Sequence, residues 1–272
     1  MFSFYKYHGA GNDFILIDQR FQRHLKRSDT EQIAFLCDRK FGIGADGLIL
    51  LQHHSEAPIE MVYFNSDGRE STLCGNGGRC FAAFANHLGV ASETLRFMAI
   101  DGLHEARIKT NPVPNGLEWV ELQMNPVRVL EQTDTADYIL NTGSPHFIRF
   151  GQQILTKNMV EIGRSVRYSD RFEAEGINVN LVEPTLEGGL LIRTYERGVE
   201  DETLACGTGI TAAALAYARQ QHRTGPQEIP VKALGGHLSV RFDAEPDGSF
   251  SNIWLCGPAQ RVFKGELMNG EW

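Results

Sequence analysis

The chain has 272 residues, enough for one large domain or two of ordinary size. Apolar residues make up 42% of the sequence and charged residues 22%, so the protein is expected to be soluble and globular, with a core that needs no disulfide bonds. The net charge of −8 disfavours a nucleic-acid partner, and the sequence has neither a membrane-length apolar run nor a signal peptide, which predicts a cytoplasmic protein that does not bind a membrane.

Short apolar runs bounded by glycine, asparagine or aspartate predict the strands of the first half. These runs are Phe14–Asp18, Gly47–Leu51, Ile59–Phe64, Thr94–Ile100, Leu103–Lys109 and Leu117–Met124. Asp101-Gly102 predicts a hairpin turn between two of them. The capping box Ser28-Asp29-Thr30-Glu31 predicts a helix toward Lys40, and a second helix is expected over Asn76–Leu88.

The second half repeats this pattern. Its predicted strands are Ala136–Asn141, His146–Phe150, Ile177–Val182, Leu190–Tyr195, Leu238–Phe242 and Ile253–Leu255, and its predicted helices are Met159–Arg167 and Thr208–Arg219. Because strands and helices do not alternate regularly, a doubly wound parallel sheet is disfavoured. We expect an α+β fold with two pseudo-symmetric domains, each a mostly antiparallel sheet wrapped around a central helix.

The turn-rich stretch from Asn111 to Gly116 indicates where the two domains divide. We expect an N-terminal domain of residues 1–118, completed by residues 263–272. The C-terminal domain then comprises residues 119–262. A hairpin loop is an equally good interpretation of the same stretch.

Two distant segments share a Cys-Gly-x-Gly turn that leads into a helix of small apolar residues. They are Cys74-Gly75-Asn76-Gly77 and Cys206-Gly207-Thr208-Gly209. The first N–H groups of a helix have no internal partner and carry partial positive charge. A cysteine at this position is favoured as a thiolate, and the same helix end binds anions such as a carboxylate.

Two such helix starts directed at one point would hold an α-carboxylate, with one sulfur on each face of the adjacent carbon. The helix dipoles would also stabilise the negative charge that develops when the α-proton leaves. The duplicated pattern therefore predicts an amino-acid racemase or epimerase that needs no pyridoxal phosphate. Cys37, Cys80 and Cys256 are interpreted as free, buried, small apolar residues.

The chain resembles the diaminopimelate epimerase family in motifs that span nearly its whole length. The motifs, in chain order, are His8-Gly9-Ala10-Gly11-Asn12-Asp13-Phe14, Gly42-Ile43-Gly44-Ala45-Asp46-Gly47, Phe64-Asn65-Ser66-Asp67-Gly68, Cys74-Gly75-Asn76-Gly77-Gly78-Arg79-Cys80, Gly143-Ser144-Pro145-His146, Tyr195-Glu196-Arg197-Gly198, Ala205-Cys206-Gly207-Thr208-Gly209 and Gly257-Pro258-Ala259. The opening motif and the two cysteine motifs are the most specific.

The resemblance implies interconversion of LL- and meso-diaminopimelate, on the route to lysine and to peptidoglycan precursor, by a homodimer without a cofactor. It implies that Cys74 donates and Cys206 accepts the proton for the LL substrate, with the roles exchanged in reverse. Backbone N–H groups would bind the reacting carboxylate, and these belong to Gly75, Asn76, Gly207 and Thr208.

The resemblance also assigns residues to the far end of the substrate. Arg197 suits the distal carboxylate, and Asn12, Asn65 and Asn178 are the family positions for amide contacts. Glu196 and His146 resemble the pair that tunes the thiols, and Glu196 also contacts substrate. The chain departs from the family in three places. Gly47 stands where many members carry a substrate-contacting glutamine, Ser144 stands where many carry asparagine, and the loop between Gly198 and Cys206 is slightly longer than in some members.

Three alternatives remain open from the sequence. A proline or hydroxyproline racemase also uses paired cysteines but lacks the opening motif. A cysteine hydrolase or transferase would need one thiol, with His146 or His8 as its base. A metal-binding module would need a second close Cys or His pair beside Cys74 and Cys80. For the two-thiol enzyme, mild oxidation is expected to cross-link the thiols and inactivate the protein reversibly.

Overall fold

The computed structural model describes residues 2–109 and 117–267. Contacts divide the chain into two compact units. Unit 1 comprises residues up to Leu122 together with those from Gly257 onward, and unit 2 runs from Gln123 to Cys256. The turn-rich stretch Asn111–Gly116, used above to place a boundary, lies outside the described residues.

The division falls at Leu122 rather than at residue 118, and at Gly257 rather than at residue 263. Leu122 pairs with Ala106 in the neighbouring strand of unit 1, which keeps the strand through residue 122 in that unit. Gly257 pairs with Val120 of the same unit. Strand pairing, which the linker composition does not reveal, therefore sets both limits.

Within residues 2–109 and 117–122, the described part of its first segment, unit 1 contains seven strands and two helices, and it includes the second part of the last described strand. The strands are β1 (Phe2–Gly9), β2 (Asn12–Asp18), β3 (Gly47–Gln52), β4 (Glu60–Asn65), β5 (Thr94–Ala99), β6 (Gly102–Lys109) and β7 (Leu117–Gln123). The helices are α1 (Thr30–Cys37) and α2 (Gly75–His87), and the last strand is β16 (Phe250–Leu267).

The strands of unit 1 form a closed ring. Each strand from β1 to β7 pairs with the next, and β16 pairs with both β7 and β1. In this ring the β2–β3 and β4–β5 pairs are parallel, and the other pairs are antiparallel. The ring surrounds α2, which contacts β1, β2, β3, β4 and β6.

Helix α2 is buried along most of its length, and most of its residues are small or apolar. Every residue from Gly75 to Ala85 is buried. Gly78 lies so close to Leu122 that a Cβ there would be 2.9 Å from the leucine side chain. Phe81 and Phe84 are fully buried, and burial of each ring contributes about 2 kcal/mol.

Helix α1 differs from its predicted extent at both ends. Asp29 is its N-cap and makes no capping bond, because its carboxylate accepts from the backbone N–H of Lys26. The helix ends at Cys37 rather than near Lys40. The carboxylate of Asp38 accepts from the N–H groups of Lys40 and Phe41, which turns the chain out of the helix.

Unit 2 contains the remaining strands and helices. The strands are β8 (Leu130–Gln132), β9 (Tyr138–Asn141), β10 (Pro145–Phe150), β11 (Asn178–Pro184), β12 (Leu190–Glu196), β13 (Asp201–Thr203), β14 (Gly225–Ala233), β15 (Gly236–Ala244) and the first part of β16. The helices are α3 (Met159–Arg167) and α4 (Gly207–Gln220), and a short 3₁₀ turn spans Ile154–Thr156.

The sheet of unit 2 follows the order β8-β9-β10-β11-β12-β14-β15-β16, with β13 added beside β12. The β10–β11 and β12–β14 pairs are parallel, and the other pairs are antiparallel. Helix α4 contacts β9 to β12, β14 and β15. Its residues from Gly209 to Ala218 are buried.

The two units repeat one order of elements. In each, an antiparallel hairpin is followed by a helix, a parallel strand, an antiparallel strand, a buried cysteine helix and a second hairpin. The expected α+β fold with two similar domains is confirmed. Strands β1, β8, β13 and β14 were not predicted, and the prolines of β14 explain why its sequence resembles a loop. Among the described residues, no helix combines the length and apolarity needed to cross a membrane.

Candidate active site

Cys74 is the residue immediately before the central helix of unit 1. It is the N-cap of α2, with extended backbone angles of φ −85° and ψ 124°, and its side chain is half-buried. The first helical bond runs from the N–H of Gly78 to the carbonyl of Cys74 at 2.7 Å. The sulfur therefore stands at the positive end of the helix dipole, as the sequence predicted.

The amide of Asn12 lies against the Cys74 sulfur. A tight turn at Ala10 (φ 54°) and Gly11 (φ 85°) brings Asn12 to the start of β2. Its Nδ2 donates to Asp46 Oδ2 at 2.7 Å, and its Oδ1 lies 3.6 Å from Cys74 Sγ. An amide oxygen only accepts hydrogen bonds, so this contact favours Cys74 in its protonated form.

Two residues of α2 hold the Asn12 amide in this orientation. Asn76 Nδ2 donates to Asn12 Oδ1 at 3.3 Å, and the fully buried Arg79 donates to Asn76 Oδ1 at 2.8 Å. Arg79 also donates to the carbonyl of Gly75 at 3.2 Å. The amide positions of Asn12 and Asn76 are thus fixed by one buried guanidinium.

Asp46 is itself part of an ion-pair group at the edge of this network. Arg39 donates to Asp46 Oδ1 at 2.8 Å and to Asp13 Oδ1 at 2.6 Å, and Lys6 lies 2.6 Å from Asp13 Oδ2. Burial opposes ionisation of Asp13, but the hydrogen bonds from Arg39 and Lys6 outweigh it and lower its pKa to about 2. Asp46, which accepts the hydrogen bond from Asn12, is therefore itself held by the charged group of Arg39.

Asn65 stands at the end of β4, apart from the contacts of Cys74. Its side chain is exposed, and its Oδ1 accepts from the Tyr63 hydroxyl at 2.8 Å. Gly47 pairs with Asn65 across the β3–β4 ladder. A Cβ at Gly47 would lie 2.6 Å from Cε2 of Tyr63, so the tyrosine ring takes the space of a side chain at that position.

Cys206 occupies the corresponding position in unit 2. It is the N-cap of α4, with φ −112° and ψ 111°, and its side chain is buried. Cys206 Sγ lies 3.4 Å from Thr208 Oγ1, and His146 Nε2 lies 2.9 Å from the same hydroxyl. Burial, with a smaller contribution from the charge of Arg197, lowers the pKa of His146 to about 3, so this imidazole is neutral near pH 7.

The side chain of Asn178 joins two other segments of unit 2. Its Nδ2 donates to Ser144 Oγ at 2.7 Å and to the carbonyl of Pro145 at 3.0 Å. Its Oδ1 accepts from the backbone N–H of Arg197 at 2.9 Å. The exposed guanidinium of Arg197 donates to the carbonyl of Glu175. Ser144 therefore makes a bond within the protein that positions Asn178.

The residues predicted for the site fall into separate contact groups in the structure. Cys74, Asn76 and Asn12 are in contact in unit 1, with Gly75 buried beside them. Glu196 accepts from the Thr203 hydroxyl at 3.0 Å, and Gly207 is buried in the first turn of α4. Sequence reasoning missed the supporting roles of Tyr63 and Arg79. It also missed Asn180, whose Nδ2 lies 3.1 Å from His146 Nδ1, and Thr194, whose hydroxyl donates to Asn180 Oδ1 at 2.9 Å.

The three remaining cysteines are buried, as expected of structural residues. Burial raises the pKa of Cys37 to about 12 and also raises the pKa of Cys80. Cys256 donates to the carbonyl of Trp254 at 3.6 Å. In the ranges that the structure describes, no three His, Cys, Asp or Glu side chains are grouped so that they could hold a metal ion.

Solved structures share this fold at low sequence identity. A phenazine biosynthesis protein of the PhzF family from Bacillus anthracis matches with a TM-score of 0.76 and 15% identity, over 98% of this chain and 99% of that protein. A hydroxyproline epimerase from Agrobacterium vitis, with bound trans-4-OH-L-proline, matches with a TM-score of 0.69 and 14% identity, over 97% and 91%. These likenesses show the fold alone.

Sequence comparison defines the class. Proteins named diaminopimelate epimerase match from Flavobacterium psychrophilum (47% identical, 96% of this chain and 98% of the relative), Chlorobaculum tepidum (40%, 95% and 98%) and Aquifex aeolicus (35%, 97% and 97%). The chain is therefore an isomerase. The family profile described as diaminopimelate epimerase matches residues 4–129 and 138–262, and the chain belongs to that family. Membership decides against the hydrolase and metal-binding alternatives.

Proposed function

We propose that this protein interconverts LL- and meso-2,6-diaminopimelate, a reaction on the route to lysine and to peptidoglycan precursor. The observation that carries the proposal is a match to relatives of that name over nearly the full chain, with a cysteine at each of two buried helix starts. A helix N-cap is a position at which a thiolate is stabilised.

In the LL direction, the Cys206 thiolate takes the α-proton. The C–H bond breaks, an S–H bond forms on Cys206, and the electron pair stays on the α-carbon and its carboxylate. The Cys74 thiol then gives its proton to the opposite face of that carbon and becomes the thiolate. The reverse reaction exchanges these roles, as microscopic reversibility requires.

Removal of an α-proton needs stabilisation of the negative charge that spreads onto the carboxylate. The backbone N–H groups at the starts of α2 and α4 supply it, and they belong to Gly75, Asn76, Gly207 and Thr208. Helix N-termini bind carboxylates through such groups and through the helix dipole. Gly75, Asn76 and Gly207 are buried and Thr208 is half-buried, which supports this role because hydrogen bonds to a charged group strengthen in a low-dielectric environment.

The far end of the substrate carries a second ammonium and carboxylate that must be bound without reaction. Arg197 binds the distal carboxylate, because its guanidinium is exposed while its backbone is anchored on Asn178. Asn12, Asn65 and Asn178 provide amide contacts. Glu196 accepts from the substrate ammonium and, with His146, adjusts the thiols.

We also propose that the enzyme works in the cytoplasm as a homodimer and without a cofactor, with its domains divided near the limits of the two units. Analytical ultracentrifugation of the purified protein tests the dimer. A sedimentation coefficient of a monomer at micromolar concentration contradicts it.

The decisive experiment incubates LL-diaminopimelate with reduced protein in heavy water. The expected product is meso-diaminopimelate with deuterium at one α-carbon, read by mass spectrometry and NMR. Cys74→Ser and Cys206→Ser should each lose most epimerisation, whereas Cys37→Ala, which removes a buried thiol of unit 1, should keep it. Folded, reduced protein that takes up no isotope contradicts the proposal, and full activity in either serine variant contradicts the two-thiol scheme.

A further inference from the structure

Four polar side chains of unit 2 form a continuous row of hydrogen bonds that ends at the Cys206 sulfur. Thr194 bonds to Asn180, Asn180 to His146, His146 to Thr208, and Thr208 to Cys206. Thr194, Asn180 and His146 are buried. Because buried polar groups are costly unless their bonds are complete, the direction of each bond in this row is determined by its chemistry.

The direction is set at Asn180. One end of its amide lies 3.0 Å from the carbonyl of Phe147, which can only accept, so that end must be the NH₂ group. The amide oxygen then faces Thr194, whose hydroxyl donates to it at 2.9 Å. The second N–H of the same NH₂ group is directed to His146 Nδ1 at 3.1 Å.

A donor at Nδ1 decides the tautomer of His146. The imidazole is neutral near pH 7 and therefore has one N–H and one acceptor nitrogen. Because Nδ1 accepts from Asn180, the proton is on Nε2. That N–H donates to Thr208 Oγ1 at 2.9 Å, which turns the Thr208 hydroxyl proton away from the histidine.

The Thr208 proton is then available to Cys206, whose sulfur lies 3.4 Å from Oγ1. A hydroxyl that donates to sulfur stabilises the thiolate over the thiol. In unit 1 the hydrogen bond at the sulfur runs in the opposite direction. The side-chain oxygen of Asn12 faces Cys74 and accepts from its S–H, which favours the thiol. Gly209 completes the arrangement, since a Cβ there would lie 2.5 Å from Asn180 Oδ1 and 3.2 Å from His146 Cε1.

We propose that Asn180, held by Thr194, is a positioning residue that fixes the His146 tautomer, so that the Thr208 hydroxyl donates to Cys206 and the resting enzyme carries its negative charge on that sulfur. This inference rests on the proposed function insofar as it assigns the charged sulfur to the proton-accepting step. The hydrogen-bond direction itself is a property of the folded chain.

The first test is ¹⁵N NMR of the reduced enzyme labelled at histidine, with the His146 signals assigned by their loss in His146→Gln. The expected spectrum shows the proton of His146 on Nε2 and none on Nδ1. A proton on Nδ1 in the unmodified enzyme overturns the proposal. No substrate is present, so this result is independent of whether the protein epimerises diaminopimelate.

The second test changes the donor at Asn180 to an acceptor. Asn180→Asp should move the His146 proton to Nδ1, and the Thr208 hydroxyl should then turn toward Nε2. Alkylation of Cys206 by iodoacetamide at pH 7, followed by peptide mass spectrometry, should slow by about tenfold because one hydrogen bond to the thiolate is lost. Asn158→Asp makes the same chemical change at the exposed N-cap of α3 and should alter neither readout.

Thr208→Val and Thr208→Ser test the same hydrogen bond to Cys206 without introducing a buried aspartate that could unfold the protein. The valine variant should show the same slow alkylation of Cys206, and the serine variant should restore the rate, because only serine keeps the hydroxyl. An unchanged tautomer and rate in Asn180→Asp, or fast alkylation in Thr208→Val, overturns the proposal. Should the heavy-water experiment fail while these results hold, the function is wrong and the positioning role of Asn180 stands.

Discussion

The ring of Tyr63 occupies the space that a side chain at Gly47 would need beside the β3–β4 ladder. A Cβ on Gly47 would lie 2.6 Å from Cε2 of Tyr63 and 3.2 Å from its hydroxyl. The tyrosine ring also packs edge-on against Phe14, with centroids 6.0 Å apart. The departure from the family pattern at Gly47 thus coincides with a tyrosine whose hydroxyl holds Asn65.

Gly47→Ala is expected to destabilise the protein. The new methyl group would meet both the Tyr63 ring and the carbonyl of Phe64 at 2.6 Å, which requires backbone or ring movement. Overpacking of this kind costs about 1–3 kcal/mol in the free energy of unfolding, measurable by urea denaturation. Gly151→Ala is the control, since its nearest atom is 4.0 Å away; an equal loss in both variants would contradict the packing argument.

Tyr63→Phe is expected to raise KM for diaminopimelate by about three- to tenfold with a smaller change in kcat. The substitution removes the hydroxyl that fixes the Asn65 amide at 2.8 Å, a bond worth about 1 kcal/mol, and leaves the ring in place. Steady-state kinetics measure both constants. Tyr168→Phe, which removes a hydroxyl bonded to Glu200, should leave KM unchanged; a normal KM in Tyr63→Phe means that Asn65 does not bind substrate.

Asn12→Asp is expected to reduce epimerisation more than Asn12→Ala does. The aspartate would place a carboxylate where Nδ2 now donates to Asp46 at 2.7 Å, and it would remove the neutral acceptor beside Cys74. The new carboxylate would lie beside that of Asp46, and a like-charge repulsion of about 1.4 kcal/mol corresponds to roughly tenfold in rate. The initial rate of isotope exchange into substrate measures the loss. Equal activity in the two variants contradicts the role given to the amide.

His146 predicts how stability depends on pH. Its pKa is about 3 in the folded protein, against 6.5 for an ordinary histidine, because it is buried and close to Arg197. Above pH 6.5 the imidazole is neutral in both the folded and the unfolded chain, and its full contribution to the free energy of unfolding is present. Between about pH 6.5 and 3 the unfolded chain binds a proton that the folded chain does not, so the free energy of unfolding falls as the pH is lowered.

His146→Gln should flatten this acid limb. Glutamine keeps an N–H that can reach Thr208 but does not titrate, so about one proton fewer is taken up on unfolding. Urea denaturation at several pH values between 7 and 4 measures the slope. The exposed His53→Gln serves as the control, and an unchanged slope in the His146 variant would show that the imidazole is not buried in its neutral form.

The parts of the site that depend on local chain chemistry were predictable from the sequence. Cys74 and Cys206 were placed at helix starts because glycine turns and small apolar runs are local signals, and the structure confirms both as N-caps. The end of α1 was missed because a single aspartate, Asp38, competes with the helix for two N–H groups. At the end of α1, the helix-favouring sequence and the turn-favouring aspartate are local signals of comparable strength.

The supporting residues were not predictable, since their partners come from distant parts of the chain. Asn178 and Asn180 alternate on β11, which shows that they share one face of the strand. Their partners on β10, however, are set by the parallel register that places His146 beside Asn178. Arg79 likewise reads as a charge on a helix, and only the closed ring around α2 makes it a buried donor.

The closure of the unit 1 ring has a consequence for how the polypeptide is made. Residues 257–267 provide the strand that joins β1 to β7, and they are the last of these segments to leave the ribosome. Until then the nascent chain exposes two unsatisfied strand edges, at β1 and at β7, which invite intermolecular pairing. A premature stop codon ahead of Gly257 therefore leaves an aggregation-prone fragment, although both thiols have already been translated.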